Sequence, residues 1–329
     1  MRKVFVTYKI PEVGLEILRE HFEVSVNEKN ELLKREEIIG MAKDADALIT
    51  LLADDIDEKV IDELKNLKII ANYAVGYNNI DVKYAKKKGI MVTNTPDVLT
   101  ETTADLTWAL LMAVSRRIVE ADEFVRQGKF EGWRPELLLG DDIFGKTLGI
   151  IGFGRIGQAV AKRALGFNMK VIYYSRTKKN EELERNLNAT FVSLEELLKK
   201  SDFITLHTPL TNETYHLIDK KEFKIIKDGA YLINTSRGAV VNERELVKAL
   251  KCGKLKGAAL DVFENEPKIT DELLEMKNVV LAPHIGSASI ETRERMAVMV
   301  AENVLAALND RLPPNLVPEQ RDLFNNSEN

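Results

Sequence analysis

Residues 147–157 read Thr-Leu-Gly-Ile-Ile-Gly-Phe-Gly-Arg-Ile-Gly, and this stretch decides how the 329-residue chain is organised. Thr147–Ile151 has the composition of a buried strand. Glycines at 152, 154 and 157 follow in the pattern Gly-x-Gly-x-x-Gly, and a helical pattern opens near Gly157. In a strand–turn–helix unit each glycine has its own task. Gly152 allows the tight turn, Gly154 lets the backbone approach an anion, and Gly157 permits close helix–strand packing. Free N–H groups at the helix start then favour a phosphate. The pattern alone is weak, but strand, spacing and helix together point to the pyrophosphate of a dinucleotide. Gly152, Phe153, Gly154, Arg155, Ile156 and Gly157 are therefore candidate cofactor contacts.

Outward from this loop, short β-branched runs alternate with amphipathic helical stretches. On the N-terminal side, strands are expected at Val4–Tyr8, Glu23–Val26, Ala47–Leu51, Ile69–Ala74 and Met91–Asn94. On the other side they are expected at Thr147–Ile151, Lys170–Tyr174, Phe203–His207, Ala230–Asn234, Gly257–Asp261 and Val279–Ala282. Alternation of this kind predicts an α/β fold of two doubly wound, Rossmann-like parallel-sheet domains. The helix near Ile290–Leu308 has no strand after it and is expected to return to the first unit. That gives a discontinuous substrate domain, 1–98 with 285–329, and a dinucleotide domain, 99–284, with the chemistry in the cleft between them. The polar tail from Pro313 is expected to fray.

Composition narrows the function. Apolar residues make up 45% and charged residues 30%, with a net charge of -5, which suggests neither a nucleic-acid partner nor an anionic lipid surface. One cysteine, Cys252, leaves no internal disulfide and fits a reducing cytoplasm. No apolar run approaches a membrane span, and no His/Cys/Asp cluster has metal-ligand spacing. Lys and Glu are abundant while glutamine stands only at 127, 158 and 320, a balance expected of a thermophile.

The residue ending the strand after the glycine loop selects the cofactor. An acid there would accept from the ribose 2′-hydroxyl of NAD. This chain has Ser175-Arg176-Thr177-Lys178 instead, and a guanidinium suits a 2′-phosphate. NADP is the expected cofactor, with NAD also possible.

Three more segments stand out: Asn234-Thr235-Ser236-Arg237-Gly238, Leu260-Asp261-Val262-Phe263-Glu264-Asn265-Glu266-Pro267 and Ala282-Pro283-His284-Ile285-Gly286. With the glycine loop, in this order and spacing, the chain resembles the D-isomer-specific 2-hydroxyacid dehydrogenase family from Val4 to about Leu308. Within that family it is most similar to the archaeal-type glyoxylate/hydroxypyruvate reductases. The resemblance implies a homodimer, with the region Gly128–Asp142 around Trp133 as the dimer arm. It also implies cofactor contacts from His207, Thr235, Ser236, Arg237, Asp261, His284 and Gly286. Reducing a 2-oxo acid needs a hydride, a proton donor, and a cation that binds the acid and polarises its carbonyl. His284 matches the family's general acid, Glu266 its carboxylate partner, and Arg237 offers a planar fork for carboxylate and carbonyl oxygen. The substrate set is Arg237 and His284 with Val75 and Gly76, whose backbone N–H groups would take the carboxylate. Leu52 is expected to limit the room beside the reacting carbon. Glu264, His21 and His216 read as surface residues. A phosphite dehydrogenase keeps the same three residue types, and a corepressor that senses NAD(H) keeps the same loop. Formate dehydrogenase relatives carry glutamine where Glu266 stands, which argues against that activity.

Overall fold

The computed structural model describes residues 1–29 and 31–323. The chain begins β1 (Lys3–Val6), α1 (Glu12–Arg19), β2 (Glu23–Val26), α2 (Arg35–Met41), β3 (Ala47–Thr50), α3 (Glu58–Glu63), β4 (Ile69–Asn72), α4 (Val82–Lys87) and β5 (Met91–Thr93). These strands form one sheet in the order β2-β1-β3-β4-β5, parallel at every pairing. Helices cover both faces, so the central strands Ala-Leu-Ile-Thr and Ile-Ile-Ala-Asn are buried at every residue. The edge strand Glu-Val-Ser-Val alternates between exposed and half-buried.

The second stretch runs α5 (Thr100–Ser115), α6 (Ile118–Arg126), β6 (Thr147–Ile151), α7 (Arg155–Ala164), β7 (Lys170–Tyr174), α8 (Glu181–Asn186), β8 (Ala189–Phe191) and α9 (Leu194–Lys200). It continues through β9 (Phe203–Leu206), α10 (Lys220–Ile225), β10 (Ala230–Asn234), α11 (Glu243–Lys251), β11 (Leu255–Leu260), α12 (Asp271–Glu275) and β12 (Val279–Leu281). The sheet order is β12-β11-β10-β9-β6-β7-β8. Chain direction across the sheet therefore reverses between β6 and β9, beside the glycine loop. β8 was not expected from the sequence: three residues at a sheet edge are too short to show a period. Trp108 of α5 stacks on Phe167 at 4.7 Å and donates from Nε1 to the Val160 carbonyl at 3.1 Å, fixing α5 on α7.

The last helix, α13 (Ile290–Leu308), packs on α1. A Cβ on Gly14 would stand 2.6 Å from the Ala297 carbonyl oxygen, so the two backbones meet where only glycine fits. Compact units comprise Met1–Leu99 with the chain from Ser287 onward, and Thr100–Gly286. Up to residue 323 the tail does not fray from Pro313 as expected, and its last residues, 324–329, lie outside the described ones. Val317 N–H donates to the Val92 carbonyl at 3.0 Å, and the buried Gln320 side chain accepts from Val92 N–H at 2.7 Å and donates to the Ile90 carbonyl at 2.9 Å. One side-chain amide thus completes the open edge of β5, where unpaired backbone would otherwise remain. Gly14→Val should destabilise the protein by about 1–3 kcal/mol through overpacking at the α1–α13 crossing. Urea denaturation measures this, and an unchanged midpoint would refute the tight approach.

Candidate active site

Backbone register decides where the predicted residues arrive. Ile151 pairs with Tyr174 on one side and Leu206 on the other. Asn234 pairs with Leu206 and Leu260, and Leu260 with Leu281. Six parallel strands thus end level, and the residues that follow form one rim: Ser175, Gly152, His207, Thr235, Asp261 and Ala282. All lie in the unit Thr100–Gly286.

The glycine loop has the geometry its pattern requires. Gly152 sits at φ +93, and a Cβ there would be 2.5 Å from the His207 carbonyl oxygen. A Cβ on Gly157 would be 2.2 Å from the Gly152 carbonyl oxygen. Nothing lies within 4 Å of the position a Gly154 Cβ would take, so the N-terminus of α7 is open to an incoming group. The Phe153 side chain is buried, stacked on Tyr173 at 3.9 Å, and leaves only its backbone for a ligand. Ile156 is half-buried and Arg155 exposed on the first turn of α7. Gln158, which the sequence reading passed over, braces the loop by donating to the Phe153 carbonyl at 3.0 Å.

At the end of β7, Ser175 donates its hydroxyl to the Thr177 carbonyl at 2.7 Å. Lys178 pairs with Glu184 at 3.5 Å, while Arg176 and Thr177 are exposed. His207 presents two buried ring nitrogens with no hydrogen-bond partner, and burial pushes its imidazole down to about 3. Across the rim the Thr235 and Thr107 hydroxyls meet at 2.9 Å. Asp261 Oδ2 is likewise buried without a partner. Orphaned polar atoms beside an open helix N-terminus fit a dinucleotide, which carries both phosphate acceptors and amide donors.

Arg237 follows β10 and owes its place to Asn234. Asn234 Oδ1 accepts from the N–H and hydroxyl of Ser236 at 3.0 and 2.9 Å, and its amide donates to the Arg237 carbonyl at 3.0 Å. Burial pulls the Arg237 guanidinium below its ordinary range, opposed by the charge of Glu266; it remains a cation at neutral pH. Gly238 is obligatory, because a Cβ there would be 1.8 Å from the Phe263 carbonyl carbon.

His284 Nδ1 stands 2.8 Å from Glu266 Oε2. An ionised carboxylate only accepts, so Nδ1 carries the hydrogen and Nε2 is left for the reacting group. Glu266 Oε1 accepts from Phe263 N–H at 2.9 Å. Burial alone would push the Glu266 carboxyl up, but the His284 hydrogen bond and charge, the Phe263 N–H and Arg237 bring it below its usual value. His284 has φ +56, a left-handed conformation costly for a non-glycine residue. Asp261 enforces it. Its carbonyl accepts from His284 N–H at 2.9 Å and its Oδ1 from Ile285 N–H at 2.7 Å. Gly286 closes the segment, its carbonyl accepting from the Thr103 hydroxyl at 3.1 Å.

The unit that begins at Met1 carries the remaining candidates. Asn94 donates to the Val75 carbonyl and Asn72 to the Gly76 carbonyl, both at 2.8 Å. Asn79 donates to the carbonyls of Leu51 and Asp54 at 3.0 Å, setting the turn that bears half-buried Leu52. Asn72, Asn79, Asn94 and Asn234 all went unassigned in the sequence, where an asparagine at a strand end is too common to single out. Glu264 and His216 are not the surface residues expected: they are half-buried and paired at 2.8 Å. Among the described residues there is no group of three metal-ligating side chains, and no helix is long and apolar enough to cross a membrane.

Comparison with known proteins shows the family and the fold. Residues 108–286 match the model of the D-isomer specific 2-hydroxyacid dehydrogenase NAD-binding domain. Glyoxylate reductase of Thermococcus gammatolerans is 54% identical over 322 residues, covering 97% of this chain and 96% of its own. A crystal structure of a Thermus thermophilus protein is 49% identical with a TM-score of 0.91, covering 96% of this chain and 99% of that one. The NADPH-dependent glyoxylate/hydroxypyruvate reductase of Sinorhizobium meliloti, solved with NADP and malonate, is 34% identical with a TM-score of 0.86 and 97% coverage of each chain. The chain belongs to the D-isomer-specific 2-hydroxyacid dehydrogenases, oxidoreductases that use a nicotinamide cofactor.

Proposed function

We propose that the protein reduces glyoxylate, hydroxypyruvate and similar small 2-oxo acids to D-2-hydroxy acids, with Arg237, Glu266 and His284 as the reacting set. The observation that carries this reading is the 2.8 Å His284–Glu266 pair on the rim that also bears Arg237 and the glycine loop. The dinucleotide would be held by the glycine loop, with His207, Thr235, Ser236, Asp261 and Gly286 along the rim, and its nicotinamide supplies the hydride. Arg237 binds the substrate carboxylate and draws electron density toward the carbonyl oxygen. That oxygen takes a proton from His284 Nε2 as the alkoxide develops, while Nδ1–H stays on Glu266. The ionised Glu266 stabilises the imidazolium that must exist before transfer. Val75 and Gly76 donate neither backbone N–H within the described residues, which suits a carboxylate oxygen, and Leu52 would restrict bulk beside it.

NADP is the preferred cofactor in this reading. Lys178 already faces Glu184, and exposed Arg176, which lies in the field of Glu213, is the cation proposed to meet a 2′-phosphate. The unit Thr100–Gly286 would be the dinucleotide domain, and the other the substrate domain. A homodimer is supported by apolar side chains left in water between α5 and β6: Ile118, Val119, Phe130, Leu139 and Phe144 are each more than half exposed, and Trp133 is 84% exposed. Light scattering should give twice the chain mass, and Trp133→Asp should shift it toward monomer.

Steady-state assays with glyoxylate should give a higher kcat/KM with NADPH than with NADH, and Arg176→Ala should reverse or abolish that ratio. His284→Asn should lower kcat by about 10²–10⁴ while NADPH binding survives. Turnover within an order of magnitude of the parent would overturn the assignment. His207 gives a stability test. Its imidazole is neutral when folded down to about pH 3, whereas the unfolded chain protonates it near its ordinary 6.5. Its contribution is complete above that value and is lost as pH falls from 6.5 toward 3, at up to about 1.4 kcal/mol per pH unit. His207→Gln should therefore flatten the acid limb of unfolding free energy against pH.

A further inference from the structure

The hairpin that carries Glu266 is fastened at both ends by one buried side chain. Glu243, the first residue of α11, is only 6% exposed. Its Oε2 accepts from Glu264 N–H at 2.8 Å and its Oε1 from Thr270 N–H at 3.0 Å. Glu266 lies between these two anchors, on a turn closed by Lys268 N–H to the Asn265 carbonyl at 2.9 Å. Glu264 returns the contact, its Oε2 accepting from Glu243 N–H at 3.0 Å.

The other oxygen of Glu264 reaches further. Oε1 takes the Nε2–H of His216 at 2.8 Å. The backbone of His216 in turn runs beside the segment that follows Arg237: His216 N–H donates to the Ala239 carbonyl at 2.8 Å, and Ile218 N–H to the Val240 carbonyl at 3.1 Å. Gly238, in that same segment, touches the Phe263 backbone. A continuous set of bonds therefore links the Arg237 loop, through His216 and Glu264, to the Glu266 hairpin. His216 adopts φ +49 to make its contacts, and its ring stacks on Tyr215 at 4.0 Å.

We infer that Glu243, Glu264 and His216 form a brace that sets Glu266, and with it the His284 imidazole, in register with Arg237. They are positioning residues: their bonds in the brace run to backbone groups and to one another, and they act through Glu266. The brace rests on the reading of Arg237, Glu266 and His284 as the reacting set. Misplacing a proton donor by a fraction of an ångström lowers the chemical step without weakening cofactor binding, because the glycine loop is untouched.

The test compares Glu264→Ala, Glu264→Gln and His216→Phe with the parent in NADPH–glyoxylate turnover, NADPH dissociation constant by fluorescence, and Tm. Glu264→Ala should lower kcat about tenfold to a hundredfold with the NADPH constant unchanged within about twofold. Glu264→Gln keeps an acceptor for Glu243 N–H and turns its NH2 toward His216 Nε2, which accepts once the ring carries its hydrogen on Nδ1, so it should recover most of the loss. His216→Phe retains an aromatic ring for the stack but leaves Glu264 Oε1 without its donor, and it should give a smaller fall in kcat that reads out the brace if Glu264→Ala does not fold. Parental kcat in Glu264→Ala or His216→Phe would overturn the brace. So would a Glu264→Gln protein as impaired as the alanine variant, with NADPH affinity falling in step. Glu266→Gln separates the two readings: if it too turns over like the parent, the reacting set itself is wrong.

Discussion

Every candidate group in the unit Thr100–Gly286 depends on six parallel strands ending at one level. Parallel ladders space their hydrogen bonds evenly, so once Ile151 is paired with Tyr174 and Leu206, the next residue on each strand is fixed in height. The ladder continues one step past the strands: Gly152 N–H reaches the Tyr174 carbonyl, His207 N–H the Ile151 carbonyl, Asp261 N–H the Asn234 carbonyl and Ala282 N–H the Leu260 carbonyl, all within 2.8–2.9 Å. A slip of one residue in any strand would exchange the side chains of its two faces and carry its rim residue away from the others. Burial of β9 and β10 at every position makes that slip costly, so core packing and site geometry are enforced together.

Beyond the rim there is no ladder, and side chains take over the work of the backbone. Asn234 and Asp261 each secure the segment that carries a candidate catalytic residue, and Asn72, Asn79 and Asn94 do the same in the other unit. An amide supplies both donor and acceptor, which is what a turn with unpaired N–H and carbonyl groups needs. Gly238 adds a steric condition, since only a residue without a Cβ lets the Arg237 loop lie against Phe263. The geometry of the candidate site is thus held mainly by residues outside the proposed reacting set.

That division explains what could be read from the sequence. Strands such as Thr147–Ile151 and Lys170–Tyr174 were legible to the residue, because burial on both faces imposes an unbroken apolar run bounded by polar turns. The glycine loop was legible because each glycine answers a separate steric demand. Arg237, Glu266 and His284 were singled out through motifs in a fixed order, and the structure brings His284 and Glu266 into hydrogen-bond contact with the charge of Arg237 nearby. Their supports were not legible: Asn234 bonds locally, a habit of asparagine at any turn, whereas Glu243 and Glu264 meet only through the fold, 21 positions apart. Gln320 escaped for the same reason, its partner Ile90 lying 230 positions away.

Among the described residues stand two Glu–His pairs at the same 2.8 Å, and distance therefore cannot be what favours one of them as the proposed reacting pair. Both histidines also adopt left-handed backbone, at φ +56 and φ +49, so local strain does not separate them either. The difference lies in what else each carboxylate serves. Glu264 gives one oxygen to the backbone of Glu243 and the other to His216, with side chains about one-fifth exposed, so the pair is consumed in structure. Glu266 gives one oxygen to its own turn at Phe263 and the other to a histidine about one-third exposed, within the field of Arg237. A cation nearby and a histidine side chain about one-third exposed are what an anionic 2-oxo acid requires. Surroundings, rather than the pair itself, are what favour the proposed proton-donor role for His284 and the proposed bracing role for His216.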